Sequence, residues 1–206
     1  MFKVITDINQ HVNGLKTGEI DFSCKISGEA VKLVNEDPNL RLLVAPNTSI
    51  NFVGFNTEKG ITADPKVRQA LAEAVDLEDL CAGLYQYEEA VYAGQPMPPA
   101  SWGYDPSMDE YKQKYDPEHA KQLLTEAGYP DGFEITITLS NSSTNTSLAT
   151  ILQQYWKQNL NVDLKINMSE WAVYSQTVTS GNHEIYAVGI DSTVDPHNFT
   201  GKLPRF

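Results

Sequence analysis

Asp191, Asp195 and His197 lie close together near the end of the chain, in the stretch GIDSTVDPHNF that runs from Gly189 to Phe199. Carboxylate oxygens and an imidazole so placed could hold a divalent cation, and a carboxylate could set the tautomer of the ring. The same residues also fit a plainer role, in which Asp195-Pro196 opens a turn and side-chain oxygens cap its amides. A hydrolase using the two aspartates and His197 around a metal would need their separation fixed and a pKa displaced, and nothing in the sequence does either. Both the metal reading and the turn reading stand at this level.

No familiar catalytic pattern accompanies them: GxSxG, HExxH, the phosphate-binding GxxxxGK, GxGxxG and CxxC are all absent. His11, His119 and His183 show no i, i+4 ligand spacing. His119 is expected to be solvated on the outer side of its helix, and His183 to sit in the turn SGNHE. Cys24 and Cys81 carry no spacing signature of a disulfide, and Cys81, in the helical run DLEDLCAGLY, is expected as a buried thiol.

The elements that must position these residues are written in capping residues and periodicity. QHVNGLKTGEIDF predicts a helix and then a short strand at Ile20 to Phe22. GEAVKLVNEDPN predicts a helix stopped at Asp37-Pro38, and LRLLVAP and SINFVGFN predict two strands. In ADPKVRQALAEAV, Asp64 is placed to cap and Pro65 to start a helix, with Asp76 capping a second one. The Pro-rich QPMPPASWGYDPSMDEY predicts an irregular connection pinned by Trp102 and Tyr104.

YDPEHAKQLLTEAGYPDG repeats the capping pattern with Asp116, Pro117 and Gly128. FEITITLS alternates, with Phe133, Ile135, Ile137 and Leu139 inward and Glu134, Thr136 and Thr138 outward. A helix around Leu148 to Trp156, the strand VDLKINM, the helix SEWAVYSQTVTSG and the strand EIYAVGI complete a strand–helix alternation typical of βαβ units. In such sheets ligands gather outside the carboxyl ends of the strands, and GIDSTVDP lies at one.

With 206 residues, 41% hydrophobic and 20% charged, the chain has the composition of a globular α/β protein. A formal net charge of −12 with scattered lysines and arginines excludes a nucleic-acid surface by this segment. No apolar run approaches the roughly 18 to 20 residues of a membrane helix. The first residues, MFKVITDINQ, lack the basic and apolar regions of a signal peptide.

GLKTGEIDF, the strand ending in Phe55-Asn56, DPKVRQALAEAVDLEDL, YDPEHAKQLLTEAGYPDGFEITI, LQQYWKQNLNVDLKI, Glu170-Trp171 and the late Asp195-Pro196 together resemble the extracytoplasmic solute-binding proteins of family 5, the peptide- and nickel-type receptors of ABC importers. The resemblance implies an α/β, periplasmic-binding-protein-like (class II) lobe with a mixed sheet flanked by helices, truncated relative to its two-lobed family. Residues 1–50 would be the end of a first-lobe segment and hinge approach. Residues 51–206 would be the second ligand-binding lobe, incomplete at its C-terminus.

The implied function is capture of a short peptide or related small solute between lobes and its delivery to ABC permease subunits. No bond is made or broken, no cofactor is expected, and the location is extracytoplasmic. Peptide binders of the family carry a pattern resembling GWxxDxxDP, whose Trp packs on the ligand and whose first Asp pairs with the peptide ammonium. Here Gly189 matches, Ile190 takes the Trp position, Thr193 takes the Asp position, and Asp191 lies nearby out of register. Asp195-Pro196-His197 is closer to nickel-type members, which makes His197 a metal candidate and a metal-chelate receptor the alternative function. Asn51 and Tyr186 are the next cleft candidates. Apolar faces uncovered by truncation would favour a dimer.

Overall fold

A computed structural model of the chain describes residues 2–5, 7–24, 26, 28–45, 47–85 and 90–191. The chain divides into two compact units, one made of residues 1–45 and 81–91 and the other of residues 46–80 and 92–206.

In the smaller unit, helix α1 spans Ile8–Thr17 and helix α2 spans Glu29–Asn35. Asp7 caps α1 by accepting from the amides of Asn9 and Gln10, and Gly18 ends it in the left-handed region at φ 72°. Val12, Ala30 and Val34 form the unit's core, with Ile8, Ile26, Leu40 and Leu42 packed on it.

Neither strand expected here forms among the described residues. The amide of Ile20 donates to the carbonyl of Gly14, and its side chain lies against that glycine, so residue 20 completes the end of α1 instead. Residues 41–45 form no regular element and find no ladder partner among the described residues, and a strand exists only where its amides are paired. Cys24 is an exposed thiol with no disulfide formed, and Cys81 is half-buried rather than buried.

The larger unit is built on a four-stranded mixed sheet of order β1-β4-β2-β3, with β1 at Ser49–Phe55, β2 at Glu134–Ser140, β3 at Asp163–Ser169 and β4 at Ile185–Asp191. β2 runs parallel to β3 and β4, as βαβ connections require, and β1 pairs antiparallel with β4. The strand–helix alternation predicted an α/β sheet of βαβ units, and the mixed sheet flanked by helices is the one that the resemblance implied.

The chain forms helices α3 (Pro65–Glu73), α4 (Leu77–Leu84), α5 (Pro117–Glu126), α6 (Ser143–Leu160) and α7 (Trp171–Thr179), the first three of them at the capping aspartates read in the sequence. Asp64 and Asp116 accept from the amides of Lys66 and His119, each with proline at the first position, and Asp76 accepts from Glu78 and Asp79.

Ile135, Ile137, Leu139, Leu164, Ile185 and Ala187 are buried on one sheet face. α3, α5 and α6 pack together and α6 lies on β2 and β3. The buried indole of Trp156 ties α6 to α3 by donating to the carbonyl of Leu71 at 2.8 Å. α7 covers part of the opposite face, where Tyr174 and Val178 pack with Tyr186, Phe52 and Val188. Thr138, expected outward, is 3% exposed because β2 is an inner strand covered on both sides.

The Pro-rich connection also departs from expectation. Trp102 is 68% exposed and pins nothing. Buried Gln95 does the pinning, donating to the carbonyl of Asp105 at 2.7 Å and accepting from its amide, while the Tyr104 hydroxyl donates to Asp109. Pro106–Tyr111 forms a 3-10 helix capped by Asp105, regular structure that the prolines concealed.

Asn56, one residue past β1, joins several of these pieces and is 2% exposed. Its side-chain amide donates to the carbonyls of Gly181 and His183, and its oxygen accepts from the amides of Glu58 and Lys59. Its carbonyl accepts from the Thr62 hydroxyl at 2.7 Å, and Arg68 donates to the carbonyls of Thr62 and Ala63. The Asn56 side chain thus fixes the turn after β1, and its carbonyl, with Arg68, fixes the approach to α3.

Candidate functional site

Because β4 is parallel to β2 and β3 and antiparallel to β1, the carboxyl ends of three strands and the start of the fourth meet at one end of the sheet. That end carries Asn51, Gly189, Ile190 and Asp191 from β1 and β4, and Asn141, Glu170 and Trp171 just beyond β2 and β3. Ligands of open α/β sheets bind at such an end.

Asn51 faces Gly189 across the β1–β4 ladder, and both are exposed. Its side-chain oxygen lies over the bare glycine backbone: a Cβ at position 189 would come within 2.3 Å of Asn51 Oδ1. Glycine here gives the amide its place on the sheet surface. Ile190 pairs with Ile50 one step further on, both half-buried. Asp191 pairs with Ser49 as the last rung of the ladder.

Tyr186 sits deeper. It is 5% exposed, edge-on to Phe52 with ring centroids 6.0 Å apart and to His183 at 4.9 Å. Its neighbour Tyr174 donates its hydroxyl to the carbonyl of Ala187 at 2.7 Å, and burial pushes the Tyr174 hydroxyl up to about 12. Burial likewise raises Tyr186 and lowers His183, so these rings stay neutral in the working range. His183, expected in a turn, is thus a buried ring packed on Tyr186.

The strand ends also bring up α6 and α7 by their N-termini, whose unpaired amides favour negative charge. Ser142 caps α6, and the Asn141 amide donates to Glu170 at 2.8 Å, joining the two helix starts. Trp171, the first residue of α7, is 60% exposed and lies tilted at 37° to Tyr174, with centroids 5.4 Å apart. A large exposed aromatic beside polar strand ends suits the packing of a ligand backbone. In the sequence Glu170-Trp171 stands out only through the resemblance, because a residue at a helix start has no periodicity to say which way it faces.

Thr193, Asp195 and His197 fall outside the described residues. Among the described residues no group of three His, Cys, Asp or Glu side chains is gathered to hold a metal. His119 is not simply solvated, since its ring meets Glu73 at 2.6 Å across α5 and α3.

The sequence profile described as "Bacterial extracellular solute-binding proteins, family 5 Middle" matches residues 1–203. Heme-binding protein A of Haemophilus influenzae is 31% identical over 98% of this chain and 38% of its own length. The dipeptide-binding protein of Escherichia coli is 28% identical over 98% of this chain and 38% of its own. Among solved structures, the periplasmic binding protein DppA from Helicobacter pylori in complex with peptide STSA superposes with a TM-score of 0.76 at 29% identity, covering 96% of this chain and 38% of that one. The chain spans somewhat over a third of the length of these relatives.

Proposed function

The chain belongs to the bacterial extracellular solute-binding proteins of family 5, and from that premise we propose that it serves the substrate-binding component of an ABC importer, taking up a short peptide or related small solute outside the cytoplasm. The observation that carries this reading is the likeness over nearly the whole chain to a binding protein solved with a peptide, STSA. The strand-end geometry supports it. Exposed Trp171 offers a ring to the ligand, and the Asn51 amide over Gly189 offers both a donor and an acceptor.

In this reading residues 1–50 belong to the first lobe and hinge approach, and residues 51–206 to the second lobe. The ligand lies against Asn51, Ile190, Asp191, Thr193 and Asp195, with Tyr186 supporting from below. Capture is followed by delivery to permease subunits, and no bond is made or broken. The family is one of solute-binding proteins, which fits a role without catalysis.

Calorimetric titration with a pool of di- to pentapeptides tests the reading. Saturable heat that survives chelator treatment and falls at least about tenfold in affinity in Trp171→Ala is expected. Absence of heat up to about 1 mM peptide, a binding free energy near −4 kcal/mol, would refute it. A metal-chelate ligand is the second reading, favoured by Asp195-Pro196-His197. It predicts heat with nickel plus free histidine that disappears in His197→Ala.

A further inference from the structure

Charge is unevenly spread over the larger unit. Its described lysines and arginines sit away from the strand carboxyl ends. Lys157 pairs with Asp163 and Lys165 with Glu134, the first residues of β3 and β2. Arg68 donates to the carbonyls of Thr62 and Ala63, past the end of β1, and Lys59 reaches that of Gly181, before β4. Because β1 runs antiparallel to β4, all four cations lie at the end of the sheet where β2, β3 and β4 start. Lys66 and Lys121 pair with Glu126 and Glu118 of α5. Lys112 lies over the Tyr92 ring, and Lys114 precedes Tyr115, whose hydroxyl accepts from Asn159 near the end of α6.

The carboxyl ends carry the opposite sign. Glu170 and Asp191 bring two formal negative charges there, and no described lysine or arginine accompanies them. The N-termini of α6 and α7 oppose this with about half a positive charge each. The balance stays negative, so a cation is favoured at this end and an anion is not.

Glu170 is also an oriented acceptor. The Asn141 amide donates to one of its oxygens at 2.8 Å, which holds the carboxylate and leaves the second oxygen open. Beside it Trp171 is 60% exposed, with Tyr174 against one side of its ring. A guanidinium is planar, so it can stack on an indole and bond a carboxylate at once. An ammonium reaches the carboxylate as a point charge and stacks less closely.

We propose that the strand-end site selects ligands with a positively charged side chain, arginine ahead of lysine. Glu170 receives the charge and the Trp171 ring stacks on it. The proposal deepens the peptide-binding reading and rests on it: it adds a substrate class, basic peptides, and a specificity-determining residue, Glu170.

Calorimetry on the full chain decides it, with the tripeptides Ala-Arg-Ala, Ala-Lys-Ala, Ala-Gln-Ala and Ala-Glu-Ala. All four have the same termini, so only the central charge differs. The arginine peptide should bind about fivefold or more tighter than the glutamine peptide, with lysine between them and glutamate weakest. Raising the salt to about 0.5 M should narrow that ratio. In Glu170→Gln, which keeps an acceptor for Asn141, the ratio of arginine to glutamine affinity should fall to about one. A merely structural role for Glu170 would weaken both peptides and keep the ratio. Equal affinity for all four peptides, or an arginine preference that persists in Glu170→Gln, would overturn the proposal and leave the peptide-binding reading in place. Absence of heat with every peptide would instead overturn that reading, and the proposal with it.

Discussion

The ring of Tyr186 lies across Gly54, its partner in the β1–β4 ladder, so closely that a Cβ at position 54 would come within 2.4 Å of the ring. The glycine is a slot for the aromatic. Tyr186 then packs with Tyr174, Val178, Phe52 and Val188, which holds α7 to the sheet.

Gly54→Ala should therefore destabilise the chain by about 1–3 kcal/mol through overpacking, since a buried ring has little room to move. Combining it with Tyr186→Leu should cost less than the sum of the two single changes, because the second removes the ring that the first collides with. Urea unfolding of the four variants measures this coupling. Strict additivity would show that the ring does not depend on the slot.

Asn56→Ala should be among the most damaging polar substitutions. It leaves the carbonyls of Gly181 and His183 and the amides of Glu58 and Lys59 without their side-chain partner. The expected loss is about 2–4 kcal/mol, the scale for unsatisfied buried groups. Asn56→Asp keeps an acceptor for the two amides but cannot donate to the two carbonyls, so it should not restore stability. Thermal melts of both variants test this.

The contact between His119 and Glu73 makes the α3–α5 packing depend on pH. Glu73 raises the His119 pKa through its hydrogen bond and its charge, with Asp116 and Glu126 adding to it. A histidine whose folded pKa exceeds its unfolded value contributes stability that is fully present below the unfolded value, and loses it as pH rises through the folded one. Tm should thus fall from about pH 6 to about pH 9 more steeply in the parent than in His119→Ala. Equal slopes would assign the trend to other groups.

Gly189→Ala separates binding from folding at the strand ends. The new Cβ displaces the exposed Asn51 side chain, which is free to swing outward, so stability should change by no more than about 0.5 kcal/mol. Peptide affinity should drop as it does in Asn51→Ala, and the double variant should be no worse than either single one. Parent-like affinity in both single variants would remove Asn51 from the site.

Short-range chemistry made much of this architecture readable from the residues alone. Asp64-Pro65 and Asp116-Pro117 start helices through hydrogen bonds that span two or three positions, and the alternation of β2 needs only the pleat. The resemblance carried by VRQALAEAVD and AKQLLTEAGYPDGF supplied the family, which periodicity never could. The strands expected at Ile20 to Phe22 and in LRLLVAP do not form among the described residues, because local propensity cannot supply a ladder partner: Ile20 turns back onto Gly14, and residues 41–45 find none. Thr138 looked like a surface residue until β3 and β4 flanked its strand. Asn51 over Gly189 and Tyr186 over Gly54 join residues more than 130 positions apart. Only the antiparallel pairing of β1 with β4 brings them together, because long-range strand register is set by the burial of whole faces and not by any local run of residues.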